Sequence, residues 1–171
     1  MRKIAILGST GSIGQNTLKI ISNFPDNFRV VGLSAHDNIG LLSRQIKRFN
    51  PTSVAIRKER IESLKKEINS NIEICDSNSG LKKIVSSDNI DVVVMAISGS
   101  NALESLLEAV RCGKTIALAN KEALVMAGSI IMREVKKHKA KIIPVDSEQS
   151  AIFQWLQDRD RKELKRIYLT A

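Results

Sequence analysis

A chain of 171 residues, 43% hydrophobic and 26% charged, has the size and balance of one soluble domain with a full core plus a little more, which excludes two complete domains. No apolar run approaches the roughly 18 residues of a membrane span, and the run after Met1-Arg2-Lys3 stops at Gly8, short of a signal-peptide core, so no targeting segment is visible. The net charge of +9 lies mostly on solvated faces, and an aromatic content of 4% offers no stacking platform for nucleic acid.

The first element is a short apolar strand, Lys3 to Leu7, running straight into Gly8, Gly11 and Gly14 and then a helix over Ser12 to Ser22. That order predicts a dinucleotide site. Gly8 lets the chain turn sharply off the strand, Gly11 lets backbone N–H groups approach a pyrophosphate, and Gly14 lets the helix pack close to the sheet. The phosphates would then sit at the positive end of the helix. The spacing is G-x-x-G-x-x-G rather than the commoner G-x-G-x-x-G, so the flanking strand and helix, and a second strand at Phe28 to Ser34, carry much of the weight.

Further along, the pattern predicts a helix at Ile39 to Phe49, a strand at Ser53 to Ile56, a helix at Lys58 to Ile68, and a surface loop around Asp76-Ser77-Asn78-Ser79-Gly80. Asp91 to Ala96 reads as a strand buried on both faces, followed by a helix from Ala102 to Arg111 whose leucines lie at three- and four-residue spacing. A strand at Thr115 to Leu118, a helix at Glu122 to His138 and a strand at Lys141 to Ile143 complete the set. Strands alternating with helices predict an α/β, Rossmann-like, doubly wound parallel sheet, with a first domain over 1–145. Residues 146–171 read as the beginning of a second domain: a loop and short helix from Asp146 to Leu156, then a strand from Arg166 to Thr170 that stops with the chain, as in a fragment cut inside that domain. Cys75 and Cys112 share no metal-ligand spacing with each other or with His36 and His138, which fits reduced thiols in a cytoplasm.

Two segments carry candidate chemistry. Asn120-Lys121-Glu122 lies at the carboxyl end of a predicted parallel strand, the edge where open α/β sheets bind ligands. Asn120 suits a helix cap and Glu122 the first turn, but a lysine there opposes the helix dipole, which points Lys121 toward an anionic ligand. Asp146-Ser147-Glu148 follows the last strand. In an extended segment Asp146 and Glu148 would point the same way and could hold Mg²⁺ or Mn²⁺. The competing account is a helix cap, because Asp146 with Gln149 three residues later has capping-box spacing.

Gly8 to Gly14, Ala119-Asn120-Lys121-Glu122-Ala123-Leu124-Val125 and Pro144 to Gln154, taken together and in this order, resemble the N-terminal portion of the 1-deoxy-D-xylulose 5-phosphate reductoisomerase family, end to end. The resemblance implies an NADPH-dependent enzyme of non-mevalonate isoprenoid biosynthesis. It rearranges the phosphorylated small-molecule substrate with a divalent metal and reduces the intermediate to 2-C-methyl-D-erythritol 4-phosphate. It also implies a homodimer when complete, with no nucleic acid or membrane partner. Carried over by position, Asp146 and Glu148 are metal ligands, and Lys121, Ser147 and Glu148 are catalytic. Thr10, Gly11, Ser12, Ile13, His36, Asp37, Asn38, Asn120 and Glu122 line the cofactor site.

The chain departs from the family at His36 and Asp37, where a glycine and a basic residue are usual. An acid near the end of the second strand favours the free 2′-hydroxyl of NAD, while Arg57 or Lys58 after the third strand could supply charge for the 2′-phosphate of NADPH. The family's third metal carboxylate, substrate-phosphate site, flexible loop and C-terminal helical domain would fall after Ala171, so this chain alone is not expected to catalyse. Two rivals remain: another NAD(P)-dependent oxidoreductase, and a nucleotide-sensing module with no use for Lys121 or the carboxylate pair.

Overall fold

The computed structural model describes residues 1–68 and 71–168. The strands are β1 (Arg2–Leu7), β2 (Phe28–Ser34), β3 (Ser53–Ile56), β4 (Glu73–Asp76), β5 (Val92–Met95), β6 (Thr115–Leu118) and β7 (Lys141–Pro144). They form one seven-stranded sheet in the order β4-β3-β2-β1-β5-β6-β7, with every pairing parallel. The helices between them are α1 (Ser12–Asn23), α2 (Ile39–Phe49), α3 (Ile61–Glu67), α4 (Ser77–Ser86), α5 (Leu103–Arg111) and α6 (Lys121–His138), with α7 (Ser147–Leu156) after β7. Short 3₁₀ turns at Lys58–Arg60 and Ser100–Ala102 lead into α3 and α5.

Alternation along the strands sends side chains to two separate cores. From β1, Ile4 and Ile6 meet Leu18 and Ile21 of α1, Leu42 and Ile46 of α2, and Leu64 of α3. Ala5 and Leu7 face the other way, toward Ile84 of α4, Leu106 and Val110 of α5, and Ile131 of α6. The sheet is thus wound on both faces, and the winding reverses at β1: the chain runs outward to β4, then returns to place β5 on the other side of β1. Ligands of open α/β sheets bind in the crevice that such a reversal leaves beyond the carboxyl ends of the strands.

Three expectations need correction. The Asp76-to-Gly80 stretch is a helix rather than a loop. Asp76 caps it by accepting from Asn78 N at 3.3 Å, and Ile84 and Val85 bury it, so a tertiary contact overrides the turn-rich composition. β4 before it was not foreseen, because Glu73 and Asp76 interrupt any apolar run on this edge strand. No strand forms over Arg166 to Tyr168, where side chains are exposed and no neighbouring strand pairs with them; Leu169 and Thr170 lie outside the described residues. In α6, Ala127 leaves helical geometry (φ −143°, ψ 25°) just before Gly128-Ser129, a pair that permits a kink. The outer face of that helix exposes Val125, Met126, Ile130 and Met132.

Candidate functional site

Gly8 leaves β1 with φ +86°, a left-handed conformation that only glycine adopts freely, and a Cβ there would lie 2.5 Å from the Ala96 carbonyl oxygen after β5. Gly14 closes the loop against its start, since a Cβ on it would collide with the Gly8 carbonyl and the Ser9 backbone. A buried polar network fixes this turn. Gly8 N donates to Ser34 Oγ (2.9 Å), Ser9 N donates to the Ser34 carbonyl (2.8 Å), and Gln45 Nε2 donates to the Ser9 carbonyl (2.8 Å). Ser9 Oγ completes it by donating to Gln45 Oε1 at 2.7 Å. Ser34 and Gln45 therefore support this turn, and the sequence reading did not single them out; their only signal was a serine ending an apolar strand and a glutamine on the helix face that carries Leu42 and Ile46.

Gly11 is the residue before α1, and no side chain caps that helix, so its first-turn N–H groups are offered to an anion. Gly11, just before them, lines a cleft of about 860 Å³ that runs along the carboxyl edge from β4 to β5. Gly8, Thr10 and Gly11 line one side, Ala35, His36, Arg57 and Lys58 extend it past β2 and β3, and Ala96 to Ser98 lie on the β5 side. Ser77, Asn78, Leu81 and Lys82 of α4 form a further wall that the loop reading of this segment missed. A helix signal was present there: Asp76 as a cap, then Leu81, Ile84 and Val85 at helical spacing.

The structure sorts the remaining sequence candidates. Thr10, Gly11 and His36 line the cleft, and Ser12 and Ile13 open α1 beside it. Asn38 is engaged as the cap of α2, accepting from Leu41 N at 3.0 Å. Asp37 pairs with Arg60 (3.0 Å) and Arg57 (3.4 Å), with His36 Nδ1 2.6 Å away. The Arg60 hydrogen bond, foremost, holds the Asp37 carboxyl below its ordinary range. Asn120 is buried and its side chain fully used. Oδ1 caps α6 by accepting from Ala123 N (2.7 Å), while Nδ2 donates to the carbonyls of Ile97 (2.7 Å) and Gly99 (2.9 Å), tying the β5 loop to α6.

A second cluster sits on the same edge at the ends of β6 and β7. Lys121 Nζ lies 3.2 Å from Asp146 Oδ2, and this carboxylate raises the lysine's pKa. Asp146 is depressed, first by the backbone N–H of Gln149, which it caps at 3.3 Å, and further by Glu148 and Lys121. Ser147 Oγ donates to Glu148 Oε2 at 2.8 Å. The extended geometry expected for Asp146 and Glu148 is not what forms. Glu148 stands in the first turn of α7, two residues after the Asp146 that caps it. The helix cap is what forms, and both carboxylates stand at that helix start. Among the described residues no group of three His, Cys, Asp or Glu side chains converges, so any hard cation here would draw on these two carboxylates.

A glycine loop at the reversal point and a lysine–carboxylate cluster two strands away agree with the sequence comparisons. The model of 1-deoxy-D-xylulose 5-phosphate reductoisomerase matches residues 4–128, and that of its C-terminal domain matches residues 142–171. The chain belongs to the 1-deoxy-D-xylulose 5-phosphate reductoisomerase family. A relative from Thermoanaerobacter sp. (strain X514) bearing that name is 49% identical over the whole chain. The chain spans 45% of the length of that relative.

Among solved structures, a reductoisomerase in complex with NADPH, fosmidomycin and magnesium is 38% identical with a TM-score of 0.88 over 90% of this chain and 38% of that one. The Zymomonas mobilis reductoisomerase in complex with NADPH is 37% identical with a TM-score of 0.86, over 90% of this chain and 41% of that one. Homoserine dehydrogenase from Thiobacillus denitrificans, at 18% identity and a TM-score of 0.54, shares the fold alone.

Proposed function

We propose that the chain is the cofactor-binding part, residues 1–145, and the start of the catalytic part, residues 146–171, of a reductoisomerase. This enzyme converts 1-deoxy-D-xylulose 5-phosphate to 2-C-methyl-D-erythritol 4-phosphate in non-mevalonate isoprenoid biosynthesis, in the cytoplasm and as a homodimer. The observation that carries the reading is the uncapped start of α1 behind Gly11, opening on a cleft at the strand-order reversal of a family member. Thr10 to Ile13 would hold the pyrophosphate of NADPH, which when bound supplies the hydride. Asn120 holds the loop at Ile97 to Gly99 from below, and Glu122 stands at the adjoining helix start.

The residues at β6 and β7 fit a hard divalent cation. Asp146 and Glu148 offer two neighbouring carboxylates, and Mg²⁺ or Mn²⁺ needs only one or two, with substrate oxygens and water completing its shell. When bound, such a metal acts as a Lewis acid on substrate oxygens. Ser147 orients Glu148 through its hydrogen bond, and Lys121 presents an ammonium whose raised pKa keeps it charged beside a phosphorylated substrate. Turnover of 1-deoxy-D-xylulose 5-phosphate by the longer protein that contains this chain tests the reading. NADPH oxidation that requires both substrate and Mg²⁺ is expected. Oxidation without added metal, after chelation, would leave Asp146 and Glu148 as a helix start only.

A further inference from the structure

Asp37 stands just beyond β2, where an acid ordinarily accepts hydrogen bonds from the ribose hydroxyls of NAD and repels the phosphate of NADP. Here its carboxylate is already taken. Arg60 Nε donates to Oδ1 at 3.0 Å and Arg57 Nη1 to Oδ2 at 3.4 Å, and neither Asp37 nor Arg60 lines the cleft. The residues that line it on this side include Arg57, Lys58 and Glu59, at and just before the 3₁₀ turn after β3, with His36 and Asp76 beside them. Arg57 also reaches Glu59 Oε2 at 3.4 Å, whereas Lys58 is exposed and makes no ion pair among the described residues. At this end the cleft is therefore lined by two cations, Arg57 and Lys58, and by the carboxylates of Glu59 and Asp76. Asp37 is held by Arg60 and Arg57 outside that lining, and Lys58 has no ion-pair partner among the described residues.

We propose that Arg57 and Lys58 receive the 2′-phosphate of NADPH, and that Arg60 is a positioning residue that clamps Asp37 away from the ribose and so converts an NAD-type strand end into an NADP site. The inference rests on the cofactor reading above and names the residues that decide cofactor choice. A guanidinium with a fixed fork and a mobile ammonium suit a phosphate dianion, and neither would be needed by a ribose with a free hydroxyl. Arg60 acts through Asp37 and so has a signature of opposite sign for the two cofactors. Once released, the acid regains its ribose-binding role.

Calorimetric titration of the chain with NADPH and, separately, NADH tests this. Lys58→Gln and Arg57→Gln are each expected to weaken NADPH about 10-fold, the loss of one charge-assisted contact, and Lys58→Gln, which does not touch Asp37, to leave NADH within about twofold. Arg60→Gln should weaken NADPH and strengthen NADH. Equal losses for both cofactors, or no change in either, in Lys58→Gln would overturn the assignment; that side chain is exposed, so its replacement should leave the fold intact by circular dichroism. A wild-type chain that binds NADPH while these variants do not discriminate sinks the inference alone. A folded wild-type chain that binds neither dinucleotide sinks the cofactor site itself, and the inference with it.

Discussion

Lys121 and Asp146 meet at 3.2 Å across the ends of β6 and β7, joining the first residue of α6 to the cap of α7. Each stabilises the other's charged form: Lys121 is raised from 10.5 and Asp146 is lowered from 3.8. A lowered acid contributes stability that is present above its unfolded value and lost as pH falls through its folded value. A raised base contributes stability that is present below its unfolded value and lost as pH rises through its folded value. The pair is therefore fully engaged between about pH 4 and 10. In an NMR titration of the carboxyl carbons Asp146 should titrate below 3.8. Lys121→Met should move it upward but leave it depressed, because the Gln149 amide contributes most. A return to the ordinary value in that variant would show that the lysine, and not the cap, controls it.

Asp146→Asn separates the cap from the proposed metal site. Asn caps a helix about as well as Asp, so the change in stability should be about 1 kcal/mol or less, the loss of the Lys121 pairing. Turnover by the longer protein should be abolished, with NADPH affinity retained because the glycine loop lies three strands away. Full Mg²⁺-dependent activity in this variant would reduce Asp146 to a cap.

Gly11 and Gly14 should respond in opposite ways. A Cβ on Gly11 touches only the Gly8 carbonyl, at 3.4 Å, and Gly11 lines the cleft, so Gly11→Val should fold yet lose most of its affinity for NADPH in calorimetry. A Cβ on Gly14 would lie 2.6 Å from Ser9 Cα, backbone that cannot yield cheaply. Gly14→Ala should therefore destabilise the chain by about 1 to 3 kcal/mol in urea unfolding. Unchanged cofactor affinity in a folded Gly11→Val chain would show that the loop does not face the pyrophosphate.

Asn120 makes three hydrogen bonds from a buried side chain. Asn120→Ala should cost about 2 to 3 kcal/mol, one cap plus the abandoned Ile97 and Gly99 carbonyls. Asn120→Asp keeps the cap but turns a carboxylate toward those two carbonyls, and should be no more stable than the alanine variant. Wild-type stability in Asn120→Asp would mean that the Nδ2 bonds contribute nothing.

The sequence by itself determined the doubly wound parallel sheet and the glycine turn after β1, because both are written in local terms. Apolar strands and helical stripes alternate, and three glycines fall where a strand meets a helix. The motif around Lys121 and that around Asp146 were legible in the same way, as residues at strand ends. Only the tertiary structure decided what the polar residues are attached to. Asn120 looks the same in sequence whether it faces a cofactor or two carbonyls of a neighbouring loop, and the β5 loop that engages it arrives from 21 to 23 residues away. Asp37 reads as an NAD determinant until Arg60, 23 residues on, is brought to its carboxylate. The Asp76-to-Gly80 stretch reads as a loop until Ile84 and Val85 find the sheet. In each case the deciding interaction is long-range, and its energy is realised only once the sheet has brought distant segments to one edge.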